Sequence, residues 1–362
     1  MPLTALIADE IAKNGPVPFA RFMGLALYHP VHGYYSGGKA RVGRKGDFFT
    51  NVSVGSLYGR LLAVQFAEMW ERAGRPPDFS IVEQGAHGGD FAMDVLGALR
   101  GSECFATVTY RIVEPSASLA AQQRARLAEF GGNVVWCESL DALAPFTGVH
   151  FSNELPDAFP VHVVKWDGSA WCERCVAVEN DRFVFVDAPL SSPVLTAASE
   201  QIPQPLPPGY TTEVNLAARE WIADVTAKLM RGWVLAVDYG HERADYYAPE
   251  RTEGTLSAYA NHRREPDPLA RPGGIDLTAH VDFTSLIECA ETAGMKSAGF
   301  TDQHHFMVGL GAGHFADGAN SGDVRAFQTL MHPQMMGMAF KVVCFAKGVE
   351  LSPPLSGFRF AR

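Results

Sequence analysis

The hydrophobic positions of the chain change their spacing several times from one end to the other. Residues 3–13 and 17–28 carry apolar side chains at helical intervals, and a longer amphipathic stretch runs from about Ser53 to Ala73. Between them lies a segment rich in glycine and aromatic residues, YHPVHGYYSGGKARVGRKGDFFTN. The first part of the chain therefore predicts helices separated by one long loop.

After the break GRPPD, short β-branched runs alternate with helical ones. The strands read FSIVEQ, TVTYRIVEP, NVVWCES and GVHFSNE, and the helices between the first three read DFAMDVLGAL and SASLAAQQRARLAEF. Alternation of this kind is typical of parallel strands joined by crossover helices. We therefore predict an α/β protein with a largely parallel sheet.

The pattern changes at residues 161–188, where apolar and polar residues alternate. The runs VHVVKWDG, SAWCERCVAVEND and RFVFVDA break at Asp-Gly and Asn-Asp pairs, which favour hairpin turns. An antiparallel hairpin insertion is predicted here, followed by a proline-rich connection. A helix at about 215–231 then leads to the strand GWVLAVDYG, whereas residues 241–280 lack periodicity and predict an active-site loop or lid.

A helix at 281–293, the strand KSAGFTD, two more helices and the strand AFKVVCFAKG complete the pattern. We divide the chain into a helical N-terminal extension, a large sheet-containing domain and a short tail. The predicted boundaries are 1–75, 76–348 and 349–362, with the insertion at 161–210 and the lid at 241–280 inside the large domain.

Composition narrows the class of protein. Of 362 residues, 47% are hydrophobic and 19% are charged, as in ordinary globular enzymes. The formal net charge is -10 with both signs interspersed, so a broad nucleic-acid-binding face is not expected. No run approaches the roughly 20 apolar residues of a membrane span. Because the start MPLTALIADEIAKNG has neither a basic leader nor a cleavage site, we expect a cytoplasmic protein without membrane insertion.

The cysteines predict neither a disulfide scaffold nor a metal site. Six cysteines in a chain of this length are best interpreted as reduced thiols. Cys172 and Cys175 form a CxxC inside the strand-like run AWCERCVAV. A single pair gives little support for zinc, and two positions of a strand are the simpler interpretation.

The stretch IVEQGAHGGDF, residues 81–91, joins a predicted strand to a predicted helix through glycines. Gly85 and Gly89 permit backbone conformations closed to other residues and let a ligand approach the main chain. The helix N-terminus offers unpaired N–H groups, and Asp90 is placed to cap it. Such a loop can hold a phosphate or the carboxylate of an amino-acid-like ligand, although an ordinary turn has the same composition. His87 stands where a glycine would be expected.

The next two predicted strands end in polar residues. Glu114 ends the second strand, where an acid reaches a ribose diol in nucleotide-binding sheets. Glu138 and Ser139 end the third, where they would face the edge of a base. Ordinary turn chemistry explains each feature alone. Their order on successive strand ends predicts a nucleoside-binding site at the carboxyl edge of the sheet.

The fourth strand ends in SNELPDAFPV, which places Asn153, Glu154 and Asp157 beside the predicted cofactor. Two acids and an amide there can position a nucleophile or accept its proton, although helix capping would use the same residue types. Asp47 lies in the glycine-containing segment GDFFT, and His280 lies near a helix start in DLTAHVDF. A lone histidine of this kind is more often a structural hydrogen-bonding residue than a base.

Taken in order, FMGLALYHPVHGYY, GDFFT, EQGAHGGD, VEPS, NELPDAFPV, VDYG, GTLSAY, DLTAHVDF and MGMAFKVV resemble the motifs of the MidA-like class I methyltransferases. The resemblance covers about residues 16–348. It implies S-adenosylmethionine (SAM) bound on a Rossmann-like, seven-stranded, mostly parallel sheet whose last strand is antiparallel. Mitochondrial members are complex I assembly factors that methylate an arginine of a complex I subunit, so the resemblance also implies a protein substrate, with a complex I subunit as one candidate.

The resemblance assigns roles residue by residue, through the cofactor loop, the ribose acid, the adenine-side pair, the NEFFDALP segment beside the transferred methyl and the GDFIT segment. The predicted cofactor-binding residues are Gly46, Thr50, Glu83, Gly85, His87, Gly89, Glu114, Glu138, Ser139 and Asn153. The predicted catalytic residues are Asp47, Glu154, Asp157 and His280.

The chain departs from the family pattern at two places. His87 replaces the central glycine of ELGPGRGT, and Val52 and Ser53 replace a Pro-Glu pair after GDFIT. A SAM-dependent protein methyltransferase acting on arginine is the leading interpretation. The departures keep open an assembly factor that acts by binding its partner, and an NAD-dependent oxidoreductase would need a GxGxxG that GAHGGD does not supply. The oligomeric state stays open, a homodimer included.

Overall fold

The helices and strands of the computed structural model follow most of the predicted alternation. The structure describes residues 1–37, 50–260, 263–315 and 320–361. The helices are α1 (Leu3–Asn14), α2 (Phe19–Tyr28), α3 (Leu57–Arg72), α4 (Asp90–Leu99), α5 (Glu103–Thr107), α6 (Ala117–Arg126), α7 (Pro193–Ser199), α8 (Leu216–Lys228), α9 (Arg243–Tyr246), α10 (Phe283–Thr292), α11 (Gln303–His314) and α12 (Ser321–Met331). The strands are β1 (Val17–Pro18), β2 (Phe79–Gln84), β3 (Thr109–Val113), β4 (Val134–Cys137), β5 (Phe146–Asn153), β6 (His162–Trp166), β7 (Trp171–Glu179), β8 (Arg182–Ala188), β9 (Thr211–Val214), β10 (Leu229–His241), β11 (Ser257–Ala260), β12 (Arg263–Glu265), β13 (Asp276–Thr278), β14 (Val281–Asp282), β15 (Lys296–Asp302) and β16 (Phe340–Lys347).

Contacts among the described residues group the chain into two units, each built from separate stretches of sequence. Unit 1 takes its residues from 1–49, 156–220 and 241–285, and unit 2 from 50–155, 221–240 and 286–362. Helix α3 belongs to unit 2, where it packs against α4 with the rings of Tyr58 and Phe91 5.8 Å apart. The domain boundaries expected from the sequence stay a prediction.

The sheet of unit 2 has the strand order β15-β16-β10-β5-β2-β3-β4. The strands from β10 to β4 pair in parallel, whereas β16 is antiparallel to both of its neighbours, β10 and β15. Its inner strands bury consecutive residues, with Phe79, Ser80, Ile81 and Val82 of β2 fully buried, as expected where both faces of a sheet are covered. The predicted mostly parallel sheet with an antiparallel last strand is confirmed.

The strand order reverses between β2 and β5. From β2 the chain continues to β3 and β4 on one side, while β5 and β10 lie on the other side. A Cβ atom built on Gly85, just after β2, would lie 3.5 Å from the side chain of Leu155, just after β5. Open α/β sheets bind ligands at the carboxyl ends of their strands at such a switch point. A ligand-binding site is therefore expected at this edge of the sheet.

Unit 1 contains the predicted antiparallel insertion. Strand β7 pairs with β6, β8 and β1, and β9 pairs with the far side of β6. The turn between β7 and β8 is formed by Asn180 and Asp181, whose φ angles of 48° and 61° are those of the tight hairpin turns that such residues favour. Helix α2 covers this sheet, with the buried Phe19 packed against Phe185 and the buried Phe22 packed against Phe183. The hairpin prediction is confirmed.

Residues 241–280 are not the irregular segment expected from the sequence. They contain α9 and a sheet with the order β12-β11-β13. Strands of three or four residues are too short to show a periodicity, which explains the error. The buried Glu213 ties the segment to β9, because its carboxylate accepts hydrogen bonds from the main-chain N–H groups of Thr255 and Leu256 at 2.9 and 3.1 Å.

Among the described residues, no helix combines the length and the hydrophobicity that a membrane span requires. All six cysteines are free thiols, and the described His, Cys, Asp and Glu side chains form no group that could hold a metal ion.

His150 is an unusual core residue of unit 2. It lies on β5, is fully buried and meets the Trp221 ring edge-on with the ring centroids 5.7 Å apart. Neither ring nitrogen has a hydrogen-bond partner among the residues that the structure describes. Burial lowers the pKa of this imidazole to about 3, so it stays neutral in the folded protein.

We expect His150 to make the fold sensitive to acid. Between about pH 6.5 and 3 the unfolded chain binds a proton at this residue and the folded chain does not, so the free energy of unfolding falls as the pH drops and is unaffected above pH 6.5. The loss amounts to about 2 kcal/mol at pH 5. Urea unfolding from pH 7 to 4.5 should show a shallower decline for His150→Leu. The exposed His332→Leu serves as control, and parallel curves for His150→Leu and the wild type would contradict the assignment.

Candidate active site

The loop after β2 has the backbone of a ligand-binding turn. Gly85, His87 and Gly89 have φ angles of 86°, 43° and 82°, so every second residue of the loop is left-handed. Glycine adopts this conformation without cost, which explains two of the three positions. For His87 it is a strained conformation, costing about 1–2 kcal/mol. The loop thus keeps the glycine-type path at the position where the sequence departs from it.

The loop leads directly into α4, which offers its N-terminus to the same edge of the sheet. Gly89 is the N-cap residue, and no side chain caps the helix. The expectation that Asp90 caps α4 is wrong, because Asp90 occupies the first turn and pairs with Arg126 at 2.5 Å. The main-chain N–H groups of the first turn therefore have no side-chain cap, as a bound carboxylate requires.

Gln123 on α6 ties the loop to the neighbouring strands. Its Nε2 donates to the main-chain oxygen of His87 at 2.8 Å and to Oε2 of Glu114 at 2.9 Å. Its Oε1 accepts from Nε1 of Trp136 at 3.0 Å. The side chain is fully buried, and these bonds use both donors and the acceptor of its amide. Gln123 therefore fixes the loop, the acid at the end of β3 and the end of β4 relative to one another.

Glu114 follows β3, as predicted, and is buried at this edge. Its Oε1 accepts from the main-chain N–H of Ser116 at 2.8 Å, and its Oε2 accepts from Gln123. Burial raises the pKa of this carboxyl group, and the two hydrogen bonds act against that shift. A carboxylate offers about four acceptor positions, so a ribose diol can donate to the remaining ones. The geometry fits the predicted ribose acid.

The geometry gives less support to the predicted cofactor contacts of Glu83, Glu138 and Ser139. Glu83 is buried within β2, where the Tyr110 hydroxyl donates to Oε2 at 2.7 Å and burial raises the pKa of the carboxyl group to about 7. Glu138 and Ser139 follow β4 and are exposed, and the Ser139 hydroxyl accepts from the Ala142 main-chain N–H at 3.2 Å. Their contacts with a cofactor stay predictions.

A partly buried polar cluster forms at the end of β5. Asn153 Oδ1 accepts from Asn51 Nδ2 at 3.1 Å and from the Tyr58 hydroxyl at 2.7 Å. Its Nδ2 donates to Glu154 Oε1 at 2.7 Å, and the Asn51 main-chain N–H donates to the same oxygen at 3.3 Å. Glu154 has a φ of 53°, and its N–H bonds the Val237 oxygen at 2.9 Å. A strained glutamate held by several bonds at a strand end is typical of a functional residue.

The segment just before α3 contributes Thr50 to unit 2. Thr50 Oγ1 and Ser53 Oγ lie 2.8 Å apart, and each hydroxyl also accepts a hydrogen bond from the other residue's main-chain N–H. Ser53, which replaces the family's glutamate, therefore closes a local turn. Gly46 and Asp47 lie outside the described residues, so their predicted roles stay predictions.

Asp157 belongs to unit 1, where the chain forms a short 3-10 helix over Pro156–Ala158. Thr278 Oγ1 donates to its Oδ2 at 3.0 Å. Burial, and then the carboxylate of Asp276, raises the pKa of Asp157 to about 7. Such a carboxyl group can exchange a proton near neutral pH. Its part in the reaction stays a prediction.

His280 also lies in unit 1 and has a histidine partner. Its Nδ1 is 3.2 Å from Nε2 of His241, and its main-chain N–H donates to Thr255 Oγ1 at 3.0 Å. Burial, and then the neighbouring His241, lowers the pKa of His280 to about 4. His280 is therefore a neutral imidazole at pH 7, in a network that also serves a structural purpose. A catalytic role for it stays a prediction.

The described site of unit 2 fits SAM on its own chemistry. The open N-terminus of α4 suits an amino-acid carboxylate, the left-handed loop lets a ligand approach the main chain, and Glu114 suits a ribose diol. These groups stand on neighbouring parallel strands in the order that the sequence predicted.

Comparison with known proteins agrees with this assignment. The model of a family described as S-adenosyl-L-methionine-dependent methyltransferases matches residues 61–301. The mitochondrial protein arginine methyltransferase NDUFAF7 of Mus musculus is 28% identical over 94% of this chain and 83% of its own length. Its homologue in Drosophila melanogaster is 28% identical over 96% and 85%. A crystal structure from Burkholderia thailandensis bound to S-adenosylhomocysteine is 33% identical, with a TM-score of 0.90 over 99% of this chain and 95% of that one.

These likenesses confirm the predicted fold and the predicted cofactor, SAM. They contradict the predicted location. The cytoplasmic prediction depended on the composition of the first residues, whereas the Mus musculus and Drosophila melanogaster relatives are both named as mitochondrial proteins.

Several residues of the site were missed by sequence reasoning. Gln123, Tyr58 and Asn51 lie in segments with no recognisable motif, and polar residues on amphipathic helices are normally exposed. Asn51 was detectable only as the residue after the GDFFT segment. The other two carry no signal that one sequence can show.

We expect His87→Gly to stabilise the protein by up to about 1 kcal/mol, because glycine adopts the left-handed conformation without strain. SAM affinity should change by less than about threefold, since Gln123 binds the main-chain oxygen of His87, which glycine retains. Thermal unfolding and calorimetry with SAM measure the two quantities. His87→Ala is the control that removes the imidazole and keeps the strain. Weaker SAM binding in both variants would show that the imidazole contacts the cofactor.

We expect Gln123→Met to weaken SAM binding about tenfold or more. Methionine fills similar space, but it leaves Glu114 and Trp136 without their partner and releases the loop, and each lost buried bond costs about 1–3 kcal/mol. Gln65→Met is a matched control, because Gln65 is also fully buried and bonds Glu68 and the Gly357 main-chain N–H. Calorimetry measures the affinity of each variant for S-adenosylhomocysteine. Equal weakening in both variants would contradict a specific role for Gln123.

Proposed function

Because the chain belongs to the S-adenosyl-L-methionine-dependent methyltransferase family, we propose that it methylates a guanidinium nitrogen of an arginine in a protein. The observation that carries this proposal is Glu154, a carboxylate in a strained conformation at the switch point of the sheet. The names of the relatives, protein arginine methyltransferase, support the choice of acceptor. A non-catalytic assembly factor is not favoured, since the groups expected to hold the cofactor are present.

SAM supplies an activated methyl group, so the protein has to align the acceptor and handle its proton. An arginine guanidinium is always protonated in bulk water, and methylation needs a nitrogen whose charge is partly neutralised. A carboxylate pairs with two N–H groups of a guanidinium and fixes its plane. The Glu154 carboxylate, oriented by Asn153 and Asn51, has the properties for this task.

The remaining predicted residues complete the proposal. Gly85, Gly89 and Glu114, with the main chain at His87, would hold the amino-acid and ribose parts of the cofactor. Glu83, Glu138, Ser139, Asn153, Thr50 and Gly46 remain proposed neighbours of the cofactor. Asp47, Asp157 and His280 remain proposed participants in acceptor binding or proton transfer. Asp157 has the strongest physical support among them, because its pKa of about 7 suits a proton acceptor.

The partner follows from the family resemblance. We propose a respiratory complex I subunit as the acceptor protein, bound through a segment that exposes an arginine. The replacement of the family's Pro-Glu by Val52 and Ser53 does not remove the carboxylate that the proposal needs, because Glu154 supplies it.

We expect the protein to transfer labelled methyl from SAM to arginine in a protein. The acceptor source is a lysate of the source organism with the gene deleted, so that the acceptor is unmethylated, and mass spectrometry of labelled proteins locates the group. Glu154→Gln should reduce incorporation at least about 100-fold, because an amide cannot neutralise the guanidinium. Its affinity for S-adenosylhomocysteine should stay within about threefold of the wild type.

The controls separate the parts of the proposal. Label on small molecules alone would refute a protein acceptor, and label on lysine would refute arginine. Full incorporation by Glu154→Gln would remove Glu154 from the mechanism while leaving the activity in place. Exposed Glu250→Gln is the matched control substitution.

A further inference from the structure

Among the residues of unit 2 whose side chains the structure describes, Gln65, Gln123 and Gln303 are fully buried. The first braces α3 against the C-terminal segment, and the second organises the cofactor loop. Gln303 is the first residue of α11, and its Nε2 donates to Asn51 Oδ1 at 2.9 Å and to the Leu330 main-chain oxygen at 3.0 Å. Its Oε1 has no hydrogen-bond partner among the described residues. Such burial is expensive for an amide and calls for a reason.

The bonds of Gln303 start a line of amides that ends at Glu154. Asn51 accepts from Gln303 through Oδ1 and donates to Asn153 through Nδ2. Asn153 accepts through Oδ1 and donates to the Glu154 carboxylate through Nδ2. The line begins at a main-chain carbonyl, Leu330 O, and finishes at a carboxylate oxygen, and an ionised carboxylate, like a carbonyl, only accepts.

This arrangement fixes the sense of every amide. Leu330 O cannot be reversed, so Gln303 must present its N–H groups to it and to Asn51. Asn51 must then face Gln303 with oxygen and Asn153 with nitrogen, and Asn153 must face Glu154 with nitrogen. A reversed amide anywhere in the line would set two oxygens or two N–H groups against each other, at a cost of about 1–3 kcal/mol.

We propose that Gln303 is a positioning residue for Glu154, acting through the amides of Asn51 and Asn153. The inference rests on the proposed function, since it assigns the purpose of the relay to the acceptor-orienting carboxylate. The relay supplies what the strained conformation of Glu154 requires, because a left-handed glutamate relaxes unless its surroundings hold it. It extends the site to α11 and to the end of α12, which none of the sequence motifs of the site reaches.

The decisive variant is Gln303→Met, which keeps the volume and removes both donors. We expect at least a tenfold lower maximal rate of labelled methyl incorporation into protein of the gene-deleted lysate at saturating SAM. Half-saturating lysate concentration and affinity for S-adenosylhomocysteine should change less than threefold. A crystal structure of the variant should show the Glu154 carboxylate displaced from Asn153 Nδ2. Gln65→Met is the matched control, expected to lower thermal stability and to leave the maximal rate unchanged.

Asn51→Leu tests the next link and should reproduce the loss, which keeps the proposal open to refutation if Gln303→Met does not fold. The proposal is overturned if Gln303→Met keeps its rate and its Glu154 position, if both glutamine variants lose rate in proportion to stability, or if the loss appears in S-adenosylhomocysteine affinity. An inactive Glu154→Gln beside a fully active Gln303→Met would refute the relay and leave the proposed function standing. If the wild type labels no protein arginine, the proposed function fails, and the Glu154 position in the variant crystal structure still decides whether the relay orients it.

Discussion

A buried amide must find a partner for its polar atoms, and this requirement organises the carboxyl edge of the sheet in unit 2. Gln123 satisfies it completely, with its three bonds reaching three different strand ends. The amides of Asn51 and Asn153 satisfy it in series. Because each bond constrains the next, the groups that we propose to face the ligand are oriented before it arrives, which is the condition for precise alignment in catalysis.

The same edge stores backbone strain. At this edge, His87 and Glu154 are left-handed without being glycine, and they follow the two strands that flank the switch point. In each case a hydrogen bond holds the strained residue in place. Gln123 donates to the main-chain oxygen of His87, and Asn153 donates to the carboxylate of Glu154. The polar network therefore sustains conformations that the local sequence would not choose.

The parts of this protein with regular patterns were predictable from its sequence. The alternation of strand and helix patterns revealed the strands that lead to Gly85, Glu114 and Glu154, because buried strands and amphipathic helices impose regular patterns on the sequence. The burial of Gln123 and Gln303 was not predictable, since a polar residue in a helical pattern is expected to be exposed and only tertiary contacts bury it. The short strands within 241–280 were not predicted, because they are too short to show a periodicity. The predicted location was wrong, because the composition of the first residues of a sequence carries no positive information about a compartment.

The place of β16 in the sheet has a consequence for synthesis. This strand, Phe340–Lys347, lies between β10 and β15, which are both made earlier. Until it leaves the ribosome, those two strands have unpaired edges facing a gap of one strand, and exposed edges invite pairing with other chains. A nascent chain can bring β2 to β5 together early, but the sheet closes only with its last strand. In cells with few chaperones, chains that have not yet completed β16 should therefore aggregate, and the yield of soluble protein should fall.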